Sequence, residues 1–121
     1  MNIQEQINQI AREQIDLCHR FGAIYQPLDF GMMLGVADNY ISDLLPYNGL
    51  RHRPEGGSCG WFLWAGEELR EEDDFFRPMH VFHLVEKGAP GLKYLGLPPG
   101  WRFLVAGDSE DVWFDAQRLD T

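Results

Sequence analysis

Two histidines three positions apart, His80 and His83, are the first residues to consider for chemistry. On a helix they would point to the same side, and imidazole nitrogens at this spacing can bind zinc when further ligands complete the shell. Lys87 lies one helical turn further along the same predicted face, where its ammonium would repel a dication. Because the sequence fixes no third ligand, we expect no bound metal, and a solvated polar helix face is the simpler interpretation.

Several neighbouring carboxylates could in principle supply a general acid and a general base. They are Glu67 with Glu68, Asp73 with Asp74, and Asp108 with Glu110 and Asp111. Such pairs are common on acidic surfaces, and the sequence fixes no cleft around them. The thiols of Cys18 and Cys59 also lack a histidine and an acid partner at a known spacing. We therefore expect no catalytic residue.

Nucleotide and nucleic-acid binding are disfavoured by the loops and by the charge. The glycine-rich run 56–60 has no following lysine and leads into a predicted strand, so it does not resemble a phosphate-binding loop. The four tryptophans could stack on bases, but stacking is normally joined to a basic groove. With 19 acidic residues against 10 lysines and arginines, the net charge is -9. Nucleic acids and anionic membranes would be repelled, whereas a basic partner would be attracted.

The length and composition predict one globular domain over residues 1–121. The chain has 45% hydrophobic and 24% charged residues, which is enough for one core and too little for two domains. Residues 2–20 interleave polar and charged side chains with isoleucines, so we expect no secretory leader. No stretch approaches the roughly 18 apolar residues of a membrane helix. The predicted location is the cytoplasm, where both cysteines are expected to stay free and buried.

Hydrophobic periodicity predicts two N-terminal helices. Apolar residues at three- and four-residue steps over positions 3–21 share one face of the first helix. Gln14 interrupts this stripe, which we interpret as a polar residue tolerated in the core; the alternative is that the stripe meets a partner. A second helix is predicted over residues 29–45, with Asp29 as its N-cap and Pro46 as its terminator.

The middle of the chain predicts a loop, a strand and a third helix, so the fold class is α+β. Residues 46–58 contain prolines, glycines and the basic cluster Arg51-His52-Arg53, and are predicted to form a mobile surface loop. The cluster could bind an anion, but on so acidic a chain simple solvation is the favoured interpretation. The apolar run 59–65 predicts a strand that is buried on both faces and central in its sheet. The third helix is predicted near residues 78–87, with Pro78 in its first turn.

The last predicted element is an antiparallel hairpin. Its strands lie near residues 101–106 and 110–115 and are joined by a short turn of turn-forming residues. Together with the preceding strand, they predict a small, mostly antiparallel sheet. Alternation places Asp111, Trp113 and Asp115 on one face of the second strand. We therefore expect Trp113 to be partly exposed between carboxylates.

The second half of the chain also carries four distinctive segments. They are GWFLWAGEE at 60–68, DDFFRPMHV at 73–81, YLGLPPGWRFL at 94–104 and EDVWFD at 110–115. In this order they resemble the bacterial Imm33-type immunity-protein domain. The resemblance implies a cytoplasmic, non-enzymatic protein that protects its own cell by binding and neutralising a polymorphic toxin.

The resemblance and the charge together predict an acidic toxin-binding surface. Many toxins delivered between bacteria act on nucleic acid and are basic, so an acidic inhibitor would be steered towards them. One acidic group follows the strand near 59–65, and the other is the hairpin with its exposed tryptophan, an aromatic anchor rimmed by charge. The predicted partner-binding residues are Glu67, Glu68, Glu71, Glu72, Asp73, Asp74, Asp108, Glu110, Asp111 and Trp113.

Two other functions stay open from the sequence. One is a small metal-binding protein or hydrolase centred on His80, His83 and the nearby carboxylates. The other is a housekeeping or regulatory domain that self-associates weakly through the isoleucine stripe of the first helix. For the favoured function, no cofactor is expected.

Overall fold

The computed structural model describes residues 2–69 and 74–120. Its main elements, in chain order, are α1 (Ile3–Phe21), β1 (Met33–Ala37), β2 (Tyr47–Arg51), β3 (Ser58–Ala65), β4 (Phe76–His80), α2 (Val81–Glu86), β5 (Trp101–Ala106) and β6 (Ser109–Phe114). Short 3-10 helices lie at Leu92–Tyr94 and Ala116–Asp120. The fold class is α+β, as predicted, but these described residues form two α-helices where three were expected.

The strands form one mixed sheet in the order β4-β1-β3-β2-β5-β6. β1 pairs with β3 in parallel, and the other pairings are antiparallel. The predictions of a mostly antiparallel sheet and of a central strand at β3 are therefore confirmed. The predicted hairpin is confirmed as well, because β5 and β6 pair from Trp101 with Phe114 to Ala106 with Ser109.

Both α-helices pack on one face of the sheet. Leu17 and Cys18 of α1 and Leu84 of α2 share a core with Trp61 and Leu63 of β3. The opposite face carries a smaller cluster around Leu50 and Trp64, to which neither α-helix contributes. No helix in the described part of the chain is long and apolar enough to cross a membrane.

Helix α1 forms as predicted, and its caps explain where it begins and ends. The Asn2 Oδ1 accepts a hydrogen bond from the Glu5 N–H at 2.8 Å, and Gly22 ends the helix with a left-handed φ of 71°. Gln14 is 1% exposed and donates from Nε2 to the Leu92 carbonyl oxygen at 3.0 Å. The interpretation of Gln14 as a core residue is confirmed.

The predicted second helix over residues 29–45 is wrong. Asp29 caps a tight turn instead, because its Oδ1 accepts from the Gly31 N–H at 2.8 Å. The chain then enters β1, where alternate residues face the helices and Gly35 points the other way. A Cβ on Gly35 would lie 2.7 Å from the Phe62 ring, so the aromatic ring of the neighbouring strand occupies that space. The apolar residues of this segment would lie on one side of a helix, which is why a helix was predicted. In the structure, Met33–Ala37 instead forms a short strand.

The predicted surface loop over residues 46–58 is wrong in its first half. Tyr47–Arg51 forms β2, an inner strand between β3 and β5. Pro46 precedes this strand and does not end a helix. A Cβ on Gly49 would lie 2.2 Å from the Phe103 ring, so packing against an aromatic ring requires glycine there. The glycine marks a close approach inside the sheet and not a mobile turn.

Arg51, expected to be solvated, is buried at 2% exposure. Its Nε donates to the Cys59 carbonyl oxygen at 3.0 Å, and its Nη1 donates to the Leu97 carbonyl oxygen at 2.8 Å. The guanidinium also lies 5.8 Å from the centroid of the Trp61 ring. Burial lowers the pKa of Arg51. The planar fork of donors lets this charge join β2 to β3 and to the loop before β5.

The predicted third helix begins later than expected. Pro78 lies in β4, an edge strand, and not in the first turn of a helix. Proline is tolerated there because an edge strand leaves part of its backbone unpaired. The helix α2 starts at Val81, and His80 is its N-cap.

Candidate functional site

The described residues of the two predicted acidic groups lie at the same end of the sheet. One row of paired residues crosses four strands, and its members are Ala65, Tyr47, Val105 and Glu110. Since neighbouring strands lie about 4.8 Å apart, the end of β3 and the start of β6 are about 14 Å apart. Glu67 follows this row on one side, and Asp108 lies in the hairpin turn on the other.

The end of β3 borders an open cleft of about 520 Å³. The charged residues that line it in the described part of the chain are Asp38, Glu67, Glu68, Asp74 and Arg77. We call it the acidic cleft. Asp38 reaches it because β1 runs parallel to β3, and Asp74 reaches it because β4 begins beside the end of β1. The Arg77 Nε lies 3.5 Å from the Asp38 Oδ1, but both side chains are largely exposed and the pair stabilises little.

The side chain of Asn39, which lines the acidic cleft, is hydrogen-bonded to the end of β3. Its Nδ2 donates to the Ala65 carbonyl oxygen at 2.7 Å, and its Oδ1 accepts from the Ala65 N–H at 3.0 Å. These two bonds have the donor and acceptor pattern of a strand pairing. The last residue of β3 is thus held just before the acidic residues begin.

Asn48 fixes the point at which the chain leaves β3. It is 6% exposed, and its Nδ2 lies 3.3 Å from the Trp64 carbonyl oxygen, 3.0 Å from that of Gly66 and 3.3 Å from that of Pro46. The Gly66 N–H donates to the Pro46 carbonyl oxygen at 2.8 Å, and Gly66 has a φ of 90°. Neither asparagine was singled out from the sequence. For Asn48, the available signal was an amide residue between tyrosine and glycine, two positions after a proline.

Three of the predicted partner-binding residues, Glu71, Glu72 and Asp73, lie outside the described residues. Glu67, Glu68 and Asp74 are exposed, and all three line the acidic cleft. The structure therefore brings Glu67, Glu68 and Asp74 together, and it adds Asp38, which the sequence did not single out.

Glu110 is engaged within the molecule. The Tyr94 hydroxyl donates to its Oε2, the Arg20 Nη2 lies 2.9 Å from its Oε1, and the Lys93 Nζ lies 3.9 Å from its Oε2. Burial alone would raise the pKa of Glu110, but the bond from Tyr94 and the charge of Arg20 hold it below its ordinary value. Burial and the bond to Glu110 raise the pKa of Tyr94. This carboxylate joins α1 to the sheet, whereas Asp108 and Asp111 are exposed.

Trp113 is partly exposed, as predicted, at 37%. The Arg102 guanidinium lies 5.2 Å from the centroid of its ring. The same guanidinium contacts Asp115, with Nη1 at 3.2 Å from Oδ2, and the Arg118 Nε lies 3.4 Å from that oxygen. Burial alone would raise the pKa of Asp115, but Arg102 and Arg118 hold it below its ordinary value. The other carboxylate that flanks Trp113, Asp111, is exposed and contacts no basic side chain within residues 2–69 and 74–120.

A family model for the Imm33-like domain matches residues 13–115. The match runs from α1 to the end of the hairpin and so includes β1 and β2 as well as the tryptophan-rich half. The chain belongs to the Imm33-like domain family. Neither a curated protein nor a solved structure matches it. The predicted membership of the Imm33-type immunity-protein family is thus confirmed.

In this Imm33-like domain, His80 and His83 do not share a helix face, so the predicted arrangement of these two histidines is wrong. His80 ends β4, and its Nδ1 lies 2.9 Å from the Gly31 carbonyl oxygen. His83 lies in α2 with its Nδ1 at 3.3 Å from the Glu86 Oε1. The two ring centroids are 5.9 Å apart. Over residues 2–69 and 74–120, no group of three or more His, Cys, Asp and Glu side chains is placed to hold a metal ion.

Both thiols of the Imm33-like domain are free and buried in the main core. Cys18 lies with its Sγ at 3.4 Å from the Gly96 carbonyl oxygen. Burial raises the pKa of Cys18 and of Cys59, although the nearby charge of Arg51 partly offsets this. Raised pKa values and burial make both thiols poor nucleophiles.

Proposed function

We propose that this Imm33-like domain is a non-enzymatic immunity protein that binds and neutralises a cognate bacterial toxin. The proposed surface, here called the acidic end, consists of Asp38, Glu67, Glu68, Asp74, Asp108 and Asp111. Trp113 lies beside it as an aromatic anchor. The observation that carries the proposal is that the described residues of two acidic groups lie at the same end of the sheet in a chain of this family.

The electrostatics favour a basic partner. The chain carries a net charge of -9, and the cleft at the end of β3 has four carboxylates and one guanidinium among its described lining residues. Complementary charge accelerates diffusional encounter and discriminates against acidic proteins. A toxin that acts on nucleic acid presents the basic surface that such a cleft would cover.

The proposal assigns different roles to the predicted residues. Glu67, Glu68, Asp74, Asp108 and Asp111 would meet the partner directly. Glu71, Glu72 and Asp73 stay partner-binding residues on the strength of the sequence. Glu110 would act indirectly, because its contacts to α1 hold the hairpin against the helix.

A charge-reversal experiment tests this surface. The probe is any toxin-like domain encoded immediately upstream of this chain, in purified form, and the variant is the triple Glu67→Lys, Glu68→Lys, Asp74→Lys. We expect its affinity for the toxin domain to fall by about 100-fold or more, mainly through slower association at low salt.

The matched control carries Glu13→Lys, Asp16→Lys and Glu55→Lys, which changes the net charge equally at exposed positions outside the acidic end. We expect this control to lose less than about tenfold in affinity. Equal losses in both variants would show that net charge acts without a defined surface. Unchanged affinity in the first variant would remove the acidic cleft from the interface.

A further inference from the structure

The two edges of the sheet differ in their capacity to accept another strand. β4, at one edge, spans five residues with Pro78 in its middle, so it lacks a backbone donor there. Prolines are a common means of blocking an edge strand. β6, at the other edge, spans six residues from Ser109 to Phe114 without a proline. Its sequence leaves every backbone donor in place.

The backbone of β6 presents three residues to the open edge. The Asp115 N–H donates inward to the Gly100 carbonyl oxygen at 2.7 Å. Because direction alternates along an antiparallel strand, the backbone groups of Glu110, Val112 and Phe114 point away from β5. No hydrogen bond within the described residues reaches these outward N–H and C=O groups.

The surroundings of β6 leave this edge accessible. Phe114 is 50% exposed on the helix side of the sheet, and Trp113 is 37% exposed on the other side. After β6 the chain turns back towards the inner strand β2. There the Arg118 carbonyl oxygen lies 2.8 Å from the Nδ1 of His52, in the loop after β2. An incoming strand would therefore find free backbone groups, an exposed ring on each face and the exposed Asp111.

We infer that β6 is a docking strand, and that an extended basic segment of the partner pairs with it as a seventh strand. This inference rests on the proposed function and deepens it by naming the segment that binds. The segment would direct lysine or arginine towards Asp111 on one face and an apolar side chain towards Phe114 on the other.

Charge decides between this occupant and a second copy of the chain. Parallel pairing of two copies of β6 would place Asp111 of each chain beside that of the other, and in either orientation each chain brings a net charge of -9. Like charges across a strand pair are destabilising. A basic segment would instead make the exposed Asp111 an attractive contact.

The first arm of the test uses a synthetic ten-residue peptide that alternates lysine and valine. An acidic control peptide has glutamate in place of lysine. Both are titrated into the labelled full chain while backbone amide resonances are recorded. We expect the basic peptide to shift the resonances of Glu110, Val112 and Phe114, and the acidic peptide to leave them in place. If the basic peptide shifted only the amide resonances of residues that line the acidic cleft, the inference would be overturned.

The second arm separates backbone pairing from side-chain attraction. Val112→Pro removes an outward N–H, whereas Val112→Ala trims the same side chain and keeps that N–H. We expect about tenfold weaker binding of the basic peptide to Val112→Pro and less than about threefold to Val112→Ala. A third peptide, with alternate amides N-methylated, should bind the unmodified chain about tenfold more weakly as well. This last comparison does not depend on the folding of any variant.

Several outcomes would overturn the inference without touching the proposed function. They are equal affinity of Val112→Pro and Val112→Ala, full binding by the methylated peptide, and a dimer of the chain that Val112→Pro abolishes. Toxin binding distinguishes the two claims. If Val112→Pro binds the toxin domain as tightly as the unmodified chain does, the proposed function stands and the docking strand does not. A chain that pairs with the peptide but never binds the toxin domain has the strand but not the function.

Discussion

Asn48 donates from its Nδ2 to the Gly66 carbonyl oxygen at 3.0 Å, and this bond fixes where the chain leaves the sheet. Gly66 directly precedes Glu67, the first carboxylate of the acidic cleft. The position of that carboxylate therefore depends on a buried amide from a neighbouring strand. The same amide nitrogen lies within 3.3 Å of the carbonyl oxygens of Trp64 and Pro46.

We predict that Asn48→Ala destabilises the fold by about 1–3 kcal/mol, because it removes the buried amide donor that the carbonyl oxygens of Gly66, Trp64 and Pro46 share. Urea unfolding measures this change. The control is Asn8→Ala on the exposed side of α1, which should alter the free energy of unfolding by less than about 0.5 kcal/mol. Equal effects of the two substitutions would contradict a special role for Asn48.

Arg51 gives a second prediction about stability. Arg51→Ala removes the donor of two buried carbonyl oxygens, those of Cys59 and Leu97, and leaves a cavity. We expect a loss of about 3 kcal/mol in the free energy of unfolding. Arg53→Ala, at an exposed position two residues further on, should cost less than about 0.5 kcal/mol. If thermal or urea unfolding showed the two variants to be alike, Arg51 would be solvated as the sequence had suggested.

Glu110 predicts a pH dependence. Its pKa is lower in the folded chain than in the unfolded chain, so its contribution to stability is fully present above the unfolded pKa. That contribution is lost as the pH falls through the folded pKa. Glu110→Gln should therefore cost about 1 kcal/mol at pH 7 and progressively less in the acid range. Asp111→Asn is the exposed control, and a Glu110→Gln deficit that persists at low pH would argue against the ionic contacts.

The buried thiols predict slow modification. Burial raises the pKa of both Cys18 and Cys59 and shields them from solvent. An aromatic disulfide reagent at neutral pH should label them about 100-fold more slowly in the folded chain than in denaturant. Rapid labelling of either thiol without denaturant would show that the core opens more readily than the packing indicates.

The elements that could be predicted from the sequence are those whose hydrophobic periodicity fits only one type of secondary structure. The helix α1 repeats its apolar residues over five turns, and the buried run of β3 has apolar residues on both faces. The hairpin has two alternating strands around a turn-forming pair. In these segments, the local pattern and the tertiary packing favour the same structure.

The segments that could not be predicted are those in which a distant ring determines the local structure. Gly35 and Gly49 read as flexible or helical positions, but each lies against an aromatic ring of another strand, Phe62 and Phe103 respectively. Nothing within residues 29–51 reveals those rings. The order of strands in the sheet, and hence the inner position of β2, depends on the same long-range contacts.

The candidate site divides in a similar way. The carboxylates of Glu67, Glu68 and Asp108 are visible as charge in the sequence, but their convergence depends on the register of four strands. The intramolecular engagement of Glu110 could not be read from the sequence, because Arg20 lies 90 positions away along the chain. Sequence reasoning finds the charges, and the topology decides which of them face outward.

The most direct test of the central claim is a growth measurement in cells that express any toxin-like domain encoded immediately upstream of this chain. Co-expression of the unmodified chain should restore growth, and so should the control with Glu13→Lys, Asp16→Lys and Glu55→Lys. The variant with Glu67→Lys, Glu68→Lys and Asp74→Lys should fail to protect while accumulating to the same level. If the unmodified chain is folded and abundant but does not restore growth, it is not the immunity protein for that toxin. If the acidic-cleft variant protects as well as the unmodified chain, the acidic cleft is not the surface that neutralises it.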